Sequence, residues 1–257
     1  MKIQQKNGMD LSLENYGNIK RNHYTYAVLP WGATEPHNYH LPYLTDCYIA
    51  YAIAKDAVEK ALLRYAVRGM VLPFVALGSQ NPGQRDLPFC IHARYETQKN
   101  VLTDIVASLN QQRIQTLIIL NGHGGNHFKN MIRDLAVDYP QMLIANCDVF
   151  NVEPQTEYFE NKDDHAGEME TSVIMHYYPE LVDLSTAGKG TVKPFRAISL
   201  TEKTGWIPRD WSKVSDDTGI GNPEKSSAAK GKRYAEIVSD KVAGLFNDLV
   251  SRNIYSC

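Results

Sequence analysis

The chain has 257 residues, of which 43% are hydrophobic and 22% are charged, and its formal net charge at pH 7 is −2. This length is enough to bury a sizeable core, and the composition is typical of a globular protein. The chain has no basic block and no apolar run of roughly 18 residues, which argues against nucleic acid and against a membrane as partners. We therefore predict a single domain over residues 1–257.

The cysteines and the N-terminus both indicate a cytoplasmic protein. The four cysteines are widely spaced, with no Cys-x-x-Cys pair, at Cys47, Cys90, Cys147 and Cys257. This spacing argues against a disulfide framework and against a cysteine zinc site, so free thiols in a reducing compartment are expected. The first eight residues lack the apolar segment of a signal peptide. We therefore expect the protein to lie in the cytoplasm.

Apolar runs and segments of helical periodicity alternate along the chain. Predicted strands cover 25–30, 69–78, 116–120 and 142–150, and predicted helices cover 47–63, 93–111, 127–138, 167–178 and 226–251. The strand at 69–78 lacks polar alternation, as expected when both faces of a sheet are covered. Thr45 or Asp46 is the expected N-cap of the first of these helices. The alternation predicts a three-layer α/β/α fold with a mainly parallel central sheet.

Two segments do not follow this alternation. Residues 79–92 contain Asn-Pro-Gly and Leu-Pro and are predicted to form a loop. Residues 184–224 are rich in Gly, Pro, Ser, Thr and Trp, and this stretch is long for a structureless loop. We expect short strands and a functional role within it. Trp206, Trp211 and Arg85 are candidates for shaping a substrate pocket.

Side chains that can bind a metal ion or transfer a proton concentrate in three loops. These loops span 29–46, 121–126 and 163–172, and their candidates are Glu35, His37, His40, Asp46, His123, His165, Glu168 and Glu170. The first two loops directly follow predicted strands, and loops at the carboxyl edge of a parallel sheet converge. Imidazole and carboxylate without thiolate favour Zn²⁺, Mn²⁺ or Fe²⁺. A carboxylate able to bridge, such as Asp46, would allow two ions.

Each loop also has a plain structural explanation. A histidine beside a strand is usually a hydrogen-bonded polar residue, residues 35–46 can be a solvated loop, and Asn-Gly-His-Gly-Gly-Asn can be a tight turn before a helix. Glu168 and Glu170 point about 200° apart on a helix, so one of them is expected to face solvent. Glu170 lies on the more apolar side and is the expected site residue. The presence of all three loops in one chain favours a metal site.

The motifs of these loops resemble those of the creatininase (creatinine amidohydrolase) family. They read Leu-Pro-Trp-Gly-Ala-Thr-Glu-Pro-His-x-x-His-Leu-Pro-x-x-Thr-Asp ending at Asp46, Asn-Gly-His-Gly-Gly-Asn ending at Asn126, and His-Ala-Gly-x-x-Glu-Thr-Ser ending at Ser172. The segment 219–231 is similar to a C-terminal element of the same family. The resemblance therefore extends over most of the chain.

The resemblance implies a cytoplasmic hydrolase of cyclic or linear C–N amide bonds with an α/β/α fold. It also implies two divalent metal ions per subunit, commonly zinc or manganese, and the donor types admit iron as well. Members of the family often form homo-oligomers, and we expect a hexamer. The expected partner is a small-molecule amide substrate.

The resemblance further implies a ligand set in which Asp46 bridges the two ions. One ion would be held by Glu35, Asp46 and His123, and the other by His37, Asp46 and Glu170. In creatininase itself the last carboxylate lies two residues after the histidine of the second motif, and that position is Gly125 here. Glu170 is therefore the expected replacement, as in relatives that share Asn-Gly-His-Gly-Gly-Asn. Gly124 and Gly125 would let the backbone approach a metal ion or a substrate.

The expected reaction is amide hydrolysis by a metal-activated water. We expect His165 to carry a proton to the leaving nitrogen, and His40 to be a further proton carrier or a support for a ligand. The loop at 83–90 departs from the family pattern, which argues against creatinine itself. The main prediction is hydrolysis of a non-peptide C–N bond in a small amide. The alternatives are a formamide or small peptide amide as substrate, or a metal-binding assembly protein without activity.

Overall fold

Four parallel strands form the centre of the computed structural model, which describes residues 8–161, 164–251 and 254–255. The strands are β1 (Tyr26–Trp31), β2 (Gly69–Val71), β3 (Thr116–Asn121) and β4 (Leu143–Asp148). Their order in the sheet is β2-β1-β3-β4, and every neighbouring pair is parallel. The last residue of β1, Trp31, is in register with the last residue of β3, Asn121. The loops that follow these two strands therefore start side by side.

Helices cover both faces of the sheet. They are α1 (Tyr16–Lys20), α2 (Thr45–Tyr65), α3 (Tyr95–Gln111), α4 (Lys129–Asp138), α5 (Glu168–Tyr177), α6 (Ile198–Thr201), α7 (Trp211–Val214) and α8 (Ala228–Ser251). One core joins Val28 and Ile118 to α2, α5 and α8, and the other joins Leu29 and Ile119 to α3 and α4. Each such buried side chain contributes roughly 1.5–3 kcal/mol.

Close packing at the carboxyl edge brings the start of α2 down onto the sheet. A Cβ atom on Gly122 would lie 2.4 Å from the carbonyl oxygen of Asp46, and one on Gly32 would lie 2.6 Å from the backbone nitrogen of Cys47. Only glycine permits these approaches. As a result, the first turn of α2 lies directly against the loops that follow β1 and β3.

The predicted N-cap of α2 is wrong. The helix begins at Thr45, its N-cap is Leu44, and no side chain caps it. The hydroxyl of Thr45 instead donates to the carbonyl of Pro42 at 2.7 Å. The carboxylate of Asp46 is turned away from the helix end toward two histidines. Its position in the first turn still favours a negative charge, because the backbone N–H groups of the helix start are nearby.

Two strand predictions also differ from the structure. The predicted strand at 69–78 is regular only over β2; beyond it, Leu72 and Val75 still donate to the carbonyls of Val28 and Pro30, and single bridges follow at Val75 and Gly78. The short strands expected in 184–224 are absent from this segment, all of which is described. Its backbone is bonded to side chains instead: Asn38 binds the carbonyl of Gly188, and Asp217 accepts from Gly190. These bonds replace those of a strand partner.

The cysteines that the structure describes agree with the expectation of free thiols. Cys47, Cys90 and Cys147 are unpaired, and Cys257 lies outside the described residues. Among the described helices, none combines the length and the apolar character that crossing a membrane requires.

Candidate metal centre

Three carboxylates and three histidines meet at the carboxyl edge of the sheet. They are Glu35, Asp46, Glu170, His37, His123 and His165. Their donor atoms form three overlapping sets, and within each set the atoms lie within 4.8 Å of one another: Glu35–Asp46–His123, His37–Asp46–Glu170 and Glu35–His37–His165. The first two sets are those that the family resemblance implies. The third loop is described from Asp164 onward, and Asp163 lies outside the described residues.

Asp46 lies where the first two sets join. Its Oδ1 is 2.9 Å from Nε2 of His37, and its Oδ2 is 3.1 Å from Nδ1 of His123. The side chain is buried, and among the described residues Oδ2 has no polar neighbour assigned to it besides the imidazole of His123. A buried carboxylate is costly without positive charge beside it, and either a protonated imidazole or a cation supplies that charge. One oxygen faces each histidine, which is the arrangement that a bridging carboxylate requires.

Backbone carbonyls fix the orientation of all three histidine rings. The contacts join Nδ1 of His37 to the carbonyl of Glu35 (3.1 Å), Nε2 of His123 to that of Ser79 (2.9 Å) and Nε2 of His165 to that of Pro36 (2.9 Å). Since a carbonyl only accepts, each of these nitrogens carries the proton. In a neutral ring, the other nitrogen then carries no proton and points into the cluster, where its lone pair can bind a metal ion. Metal-binding histidines have this arrangement.

The loop after β3 is more than a tight turn. Asn121 accepts from the backbone N–H of His123 at 3.2 Å and from the side chain of Asn126 at 3.1 Å. Asn126 in turn accepts from Gln98 at 2.8 Å and from the backbone of Ser79 at 3.2 Å. This network holds His123 between the sheet and the loop after β2.

The two glycines after His123 have different surroundings. A Cβ atom on Gly125 would lie 2.2 Å from the carbonyl oxygen of Ser79 and 2.5 Å from Nε2 of His123, whereas one on Gly124 would meet nothing within 4 Å. Gly125 is therefore packed against the protein's own backbone, whereas Gly124 lines the cavities beside the cluster. The predicted approach of this backbone to a metal ion or a substrate stays a prediction. The contacts of Gly125 leave no room for a carboxylate side chain at position 125.

Gln84 is a site residue that the sequence did not indicate. Its Nε2 donates to Oε2 of Glu35 at 2.9 Å, and its Oε1 accepts from the backbone of Asn81 at 2.8 Å. The other carboxylate oxygen of Glu35 faces Nδ1 of His123 at 3.0 Å and Nδ1 of His165 at 3.7 Å. The Asn-Pro-Gly turn was the only local signal near Gln84, and it predicts a loop without indicating a contact.

The two glutamates of α5 point to opposite sides, as their spacing predicts. Oε2 of Glu170 accepts from the backbone of Ala166 at 2.6 Å and lies 3.9 Å from Nε2 of His37. The expectation that Glu168 faces solvent is wrong. Glu168 is fully buried, pairs with Lys230, and accepts from backbone N–H groups of the preceding loop. The lysine neutralises its charge, which makes the burial tolerable.

The two predicted proton carriers lie in different places. His165 borders the cluster, and its ring centroid is 4.2 Å from that of His37 and 5.4 Å from that of Trp211. His40 is buried behind the cluster, where Nε2 contacts the hydroxyl of Thr171 at 2.8 Å and Nδ1 has no hydrogen-bond partner within the described part of the chain. Burial, with a smaller contribution from His37, lowers the pKa of His40 to about 4, so its ring is neutral at pH 7.

The buried carboxylates of the cluster require positive charge beside them. Burial alone lowers the pKa of His37, but the nearby carboxylates, above all Asp46, raise it to about 10. The pKa of His123 is raised well above its usual range in the same way, chiefly by Glu35. Conversely, the histidines hold the pKa values of Glu35 and Asp46 low despite burial. Protons on the imidazoles thus balance the carboxylates here, and divalent cations fit the same donors.

Two cavities that share several lining residues adjoin the cluster. The inner cavity, of about 240 Å³, is lined by residues that include Glu35, Asp46, His123, His165, Met169 and Glu170. The outer cavity, of about 370 Å³, shares Glu35, His123 and His165 with it and extends to Gln80, Trp206, Arg209 and Trp211. Trp206 and Trp211 thus line a cavity as expected, whereas Arg85 lines neither of these two.

A family model described as creatininase, creatinine amidohydrolase, matches residues 10–246. This match covers most of the chain and confirms the resemblance inferred from the motifs.

Two similar proteins of known activity differ in substrate. A mycofactocin precursor peptide peptidase from Mycolicibacterium smegmatis is 28% identical over 214 residues, which cover 83% of this chain and 81% of that protein. A creatinine amidohydrolase from Pseudomonas putida is 23% identical over 237 residues, which cover 84% of this chain and 86% of that protein. The restriction to non-peptide bonds is therefore not confirmed.

Solved structures confirm the fold. A Bacteroides fragilis protein provisionally assigned as a creatinine amidohydrolase superposes with a TM-score of 0.96 at 54% identity, covering 98% of this chain and 100% of that one. A mutant creatininase of the Zn–Zn type superposes with a TM-score of 0.76 at 20% identity, covering 93% of this chain and 97% of that one. A manganese creatininase superposes with a TM-score of 0.75 at 20% identity, covering 94% of this chain and 98% of that one. The predicted α/β/α class with a parallel sheet is therefore confirmed.

Proposed function

This chain belongs to the creatininase family, and from that premise we propose that it hydrolyses a C–N amide bond with the help of divalent metal ions. The proposed metal ligands are Glu35, His37, Asp46, His123 and Glu170. The single observation that carries the proposal is the position of Asp46, which turns one carboxylate oxygen toward His37 and the other toward His123.

Two ions per chain are proposed because two of the three donor sets, Glu35–Asp46–His123 and His37–Asp46–Glu170, share only Asp46. The creatininase structures of the Zn–Zn and manganese types support zinc or manganese, and the imidazole and carboxylate donors also admit iron. Both proposed sets combine carboxylate with imidazole and contain no thiolate.

The residues of the chain have distinct roles in the proposed reaction. Bound divalent ions supply an acidified water and a positive charge near the substrate carbonyl. His165 takes up a proton at Nδ1 and passes it to the leaving nitrogen, because its Nε2 is held by the carbonyl of Pro36 and its ring borders the inner cavity. His40 acts through Thr171: it contacts the hydroxyl of Thr171, which follows Glu170 in the sequence. This contact positions the start of α5.

We favour a peptide amide as the substrate class. The peptide peptidase is more similar to this chain than the Pseudomonas putida creatinine amidohydrolase is, at 28% against 23% identity. The outer cavity extends beyond the cluster and offers room for substrate on one side of the scissile bond. A creatinine-like ring opening is the second candidate, and the family description and the Pseudomonas putida relative support it.

The proposal is tested with protein stripped of metal and reloaded with Zn²⁺ or Mn²⁺. Amide release is measured on creatinine, on an N-formyl amino acid and on blocked short peptides. We expect metal-dependent turnover that His123→Ala abolishes together with metal binding. The control is His23→Ala, which changes an exposed histidine before β1 and should behave as the wild type.

Other outcomes decide between the alternatives. Equal turnover with and without metal contradicts the proposal. Tight metal binding without turnover across the whole panel would favour the metal-binding assembly protein. The predicted homo-oligomer, a hexamer by family resemblance, stays a proposal that light scattering tests on the same preparations.

A further inference from the structure

A third cavity, which we call the distal cavity, adjoins the outer cavity beside Arg209. It has a volume of about 700 Å³ and shares the lining residues Asp164, Trp206 and Arg209 with the outer cavity. The outer cavity is itself lined by His123 and His165, so a single cavity extends from the cluster to Arg209. A substrate bound at the cluster can therefore reach Arg209.

Two contacts hold the guanidinium of Arg209 in this wall. Its Nη1 donates to Oδ2 of Asp164, and its central carbon lies over the ring of Trp211 at 4.9 Å. The ring of Trp211 packs edge-on against that of His165, with centroids 5.4 Å apart. Together these contacts place the guanidinium within about 10 Å of the ring of His165. An extended peptide covers about 3.3–3.6 Å per residue, so this distance corresponds to about three residues.

The guanidinium of Arg209 has N–H groups left for a ligand. Apart from Asp164, it has no hydrogen-bond or ion-pair partner among the described residues. A guanidinium has five N–H donors in one plane, and a carboxylate can accept from two of them side by side. The side chain of Arg209 is 34% exposed and that of Asp164 is 52% exposed, so a ligand can reach the pair. Arg209 can therefore donate to a second carboxylate.

The lining of the distal cavity combines positive charge with apolar side chains. The exposed residue Lys203 adds a second cation, so the described lining residues contain two cations and one carboxylate, that of Asp164. The apolar lining residues are Phe195, Leu200, Trp206 and Ile207. Of these, Trp206 is 80% exposed and Ile207 is 47% exposed. Exposed apolar side chains that are grouped together and bordered by charge are typical of binding sites.

We propose that Arg209 and the distal cavity form a subsite for a carboxylate of the substrate, next to an apolar side chain and about three residues from the scissile bond. The carboxylate accepts from the guanidinium of Arg209, Lys203 adds positive charge, and the apolar side chain packs against Trp206. This inference rests on the proposed function. It narrows the substrate class to peptides with a carboxylate near the scissile bond, either at the C-terminus or on an Asp or Glu side chain.

The test measures the binding of three peptides to the full chain without metal, so that hydrolysis does not intervene. The peptides are acetyl-Ala-Ala-Ala-Leu with a free carboxylate, the same peptide with a C-terminal amide, and this amide with its third Ala replaced by Glu. We expect a carboxylate to tighten binding about 5-fold, which is the size of a partly exposed ion pair. Tighter binding of the free acid identifies a C-terminal carboxylate as the ligand, and tighter binding of the Glu peptide identifies a side chain.

Variants of the ion pair test whether Arg209 is responsible for this preference. Arg209→Gln should bind the carboxylate peptides as weakly as the neutral one and leave the affinity for the neutral one unchanged. Asp164→Asn should bind the carboxylate peptides more tightly than the wild type, because a competing carboxylate is removed. A structural role of the pair predicts instead weaker binding of all three peptides by both variants. The matched control is Arg64→Gln, which breaks a partly exposed ion pair with Asp240 and should behave as the wild type.

The proposed function and this inference fail in different ways. In Zn²⁺-loaded protein, Arg209→Gln should raise KM for the carboxylate peptide about 5-fold at unchanged kcat, since it removes binding that ground state and transition state share. If Arg209→Gln abolishes the binding preference but the wild type hydrolyses no amide, only the proposed function is wrong. Equal affinity of the wild type for all three peptides, or a preference that Arg209→Gln retains, would overturn the subsite whether or not peptides are hydrolysed.

Discussion

The cluster at the base of the site and the wall around its opening are built in opposite ways. In the cluster, each histidine ring is held by a backbone carbonyl, and Glu35 is held by Gln84. In the wall, Trp206 is 80% exposed and the side chain of Arg209 is partly exposed. A fixed cluster suits chemistry that needs defined geometry, whereas a wall of exposed side chains suits recognition. Under the proposed function, the cluster would carry out the reaction and the wall would select the substrate.

The largest effect is expected from Asp46→Asn. The substitution keeps the size of the side chain but removes the charge that faces His37 and His123 and replaces one oxygen by an NH₂ group that cannot bind a cation. We expect the variant to bind no metal and to release amide no faster than buffer alone. Metal content and amide release measured on the same sample check this, and unchanged metal content would show that Asp46 does not join the two sets.

A pair of glycine substitutions should separate the cluster from its surroundings. Gly125→Ala places a Cβ atom 2.2 Å from the carbonyl of Ser79 and should displace His123, whereas the Cβ atom of Gly124→Ala meets nothing within 4 Å. We expect Gly125→Ala to lower metal affinity about 10–100-fold, as for other groups that orient metal ligands. The melting temperature should fall for Gly125→Ala only, and equal effects of the two variants would contradict the assigned packing.

Metal-free and metal-loaded protein should respond differently to pH. In the metal-free protein the pKa of His37 is raised from 6.5 to about 10, so the stability that it contributes is complete below pH 6.5 and is lost as the pH rises toward 10. Metal binding releases these protons and therefore tightens as the pH rises. The gap between the two melting temperatures should widen from pH 6.5 upward, and a gap that narrows would show that metal and protons do not compete.

The smallest effect is expected at the wall. Arg209 pairs with Asp164 and stacks over Trp211 at 4.9 Å, and both members of the ion pair are partly exposed. Partly exposed pairs contribute roughly 0–1 kcal/mol. Arg209→Gln should therefore leave metal binding and the melting temperature nearly unchanged while altering KM for peptides. A loss of turnover as large as that of Asp46→Asn would remove the distinction between cluster and wall.

Local patterns in the sequence predict the cluster well and the wall poorly. The motifs after the predicted strands indicate that these loops converge, and the family resemblance implies that Glu35, Asp46 and His123 form one set. In the structure β1 and β3 are neighbours, and their ends carry these motifs. The supporting contacts are not local: Gln84 is 49 residues from Glu35 and Ser79 is 44 from His123. Such pairs depend on how the loops pack, and a single sequence contains no signal for them.

The sequence likewise does not show which charged side chains are buried. The spacing of Glu168 and Glu170 predicts opposite directions but does not reveal that Lys230, 62 residues away in α8, neutralises Glu168 inside the protein. In the same way, the composition of 184–224 predicts an irregular segment, whereas the side chains that satisfy its backbone, such as Asn38, come from another loop. Both cases need the tertiary contacts.

The most direct test of the central claim is a titration of metal-free protein with Zn²⁺ or Mn²⁺, with bound metal and amide hydrolysis measured at each step. The proposed dinuclear centre predicts no turnover without metal, a rise in activity that ends at two ions per chain, and the loss of both ions in Asp46→Asn. Full turnover in protein shown to contain no metal would contradict the claim.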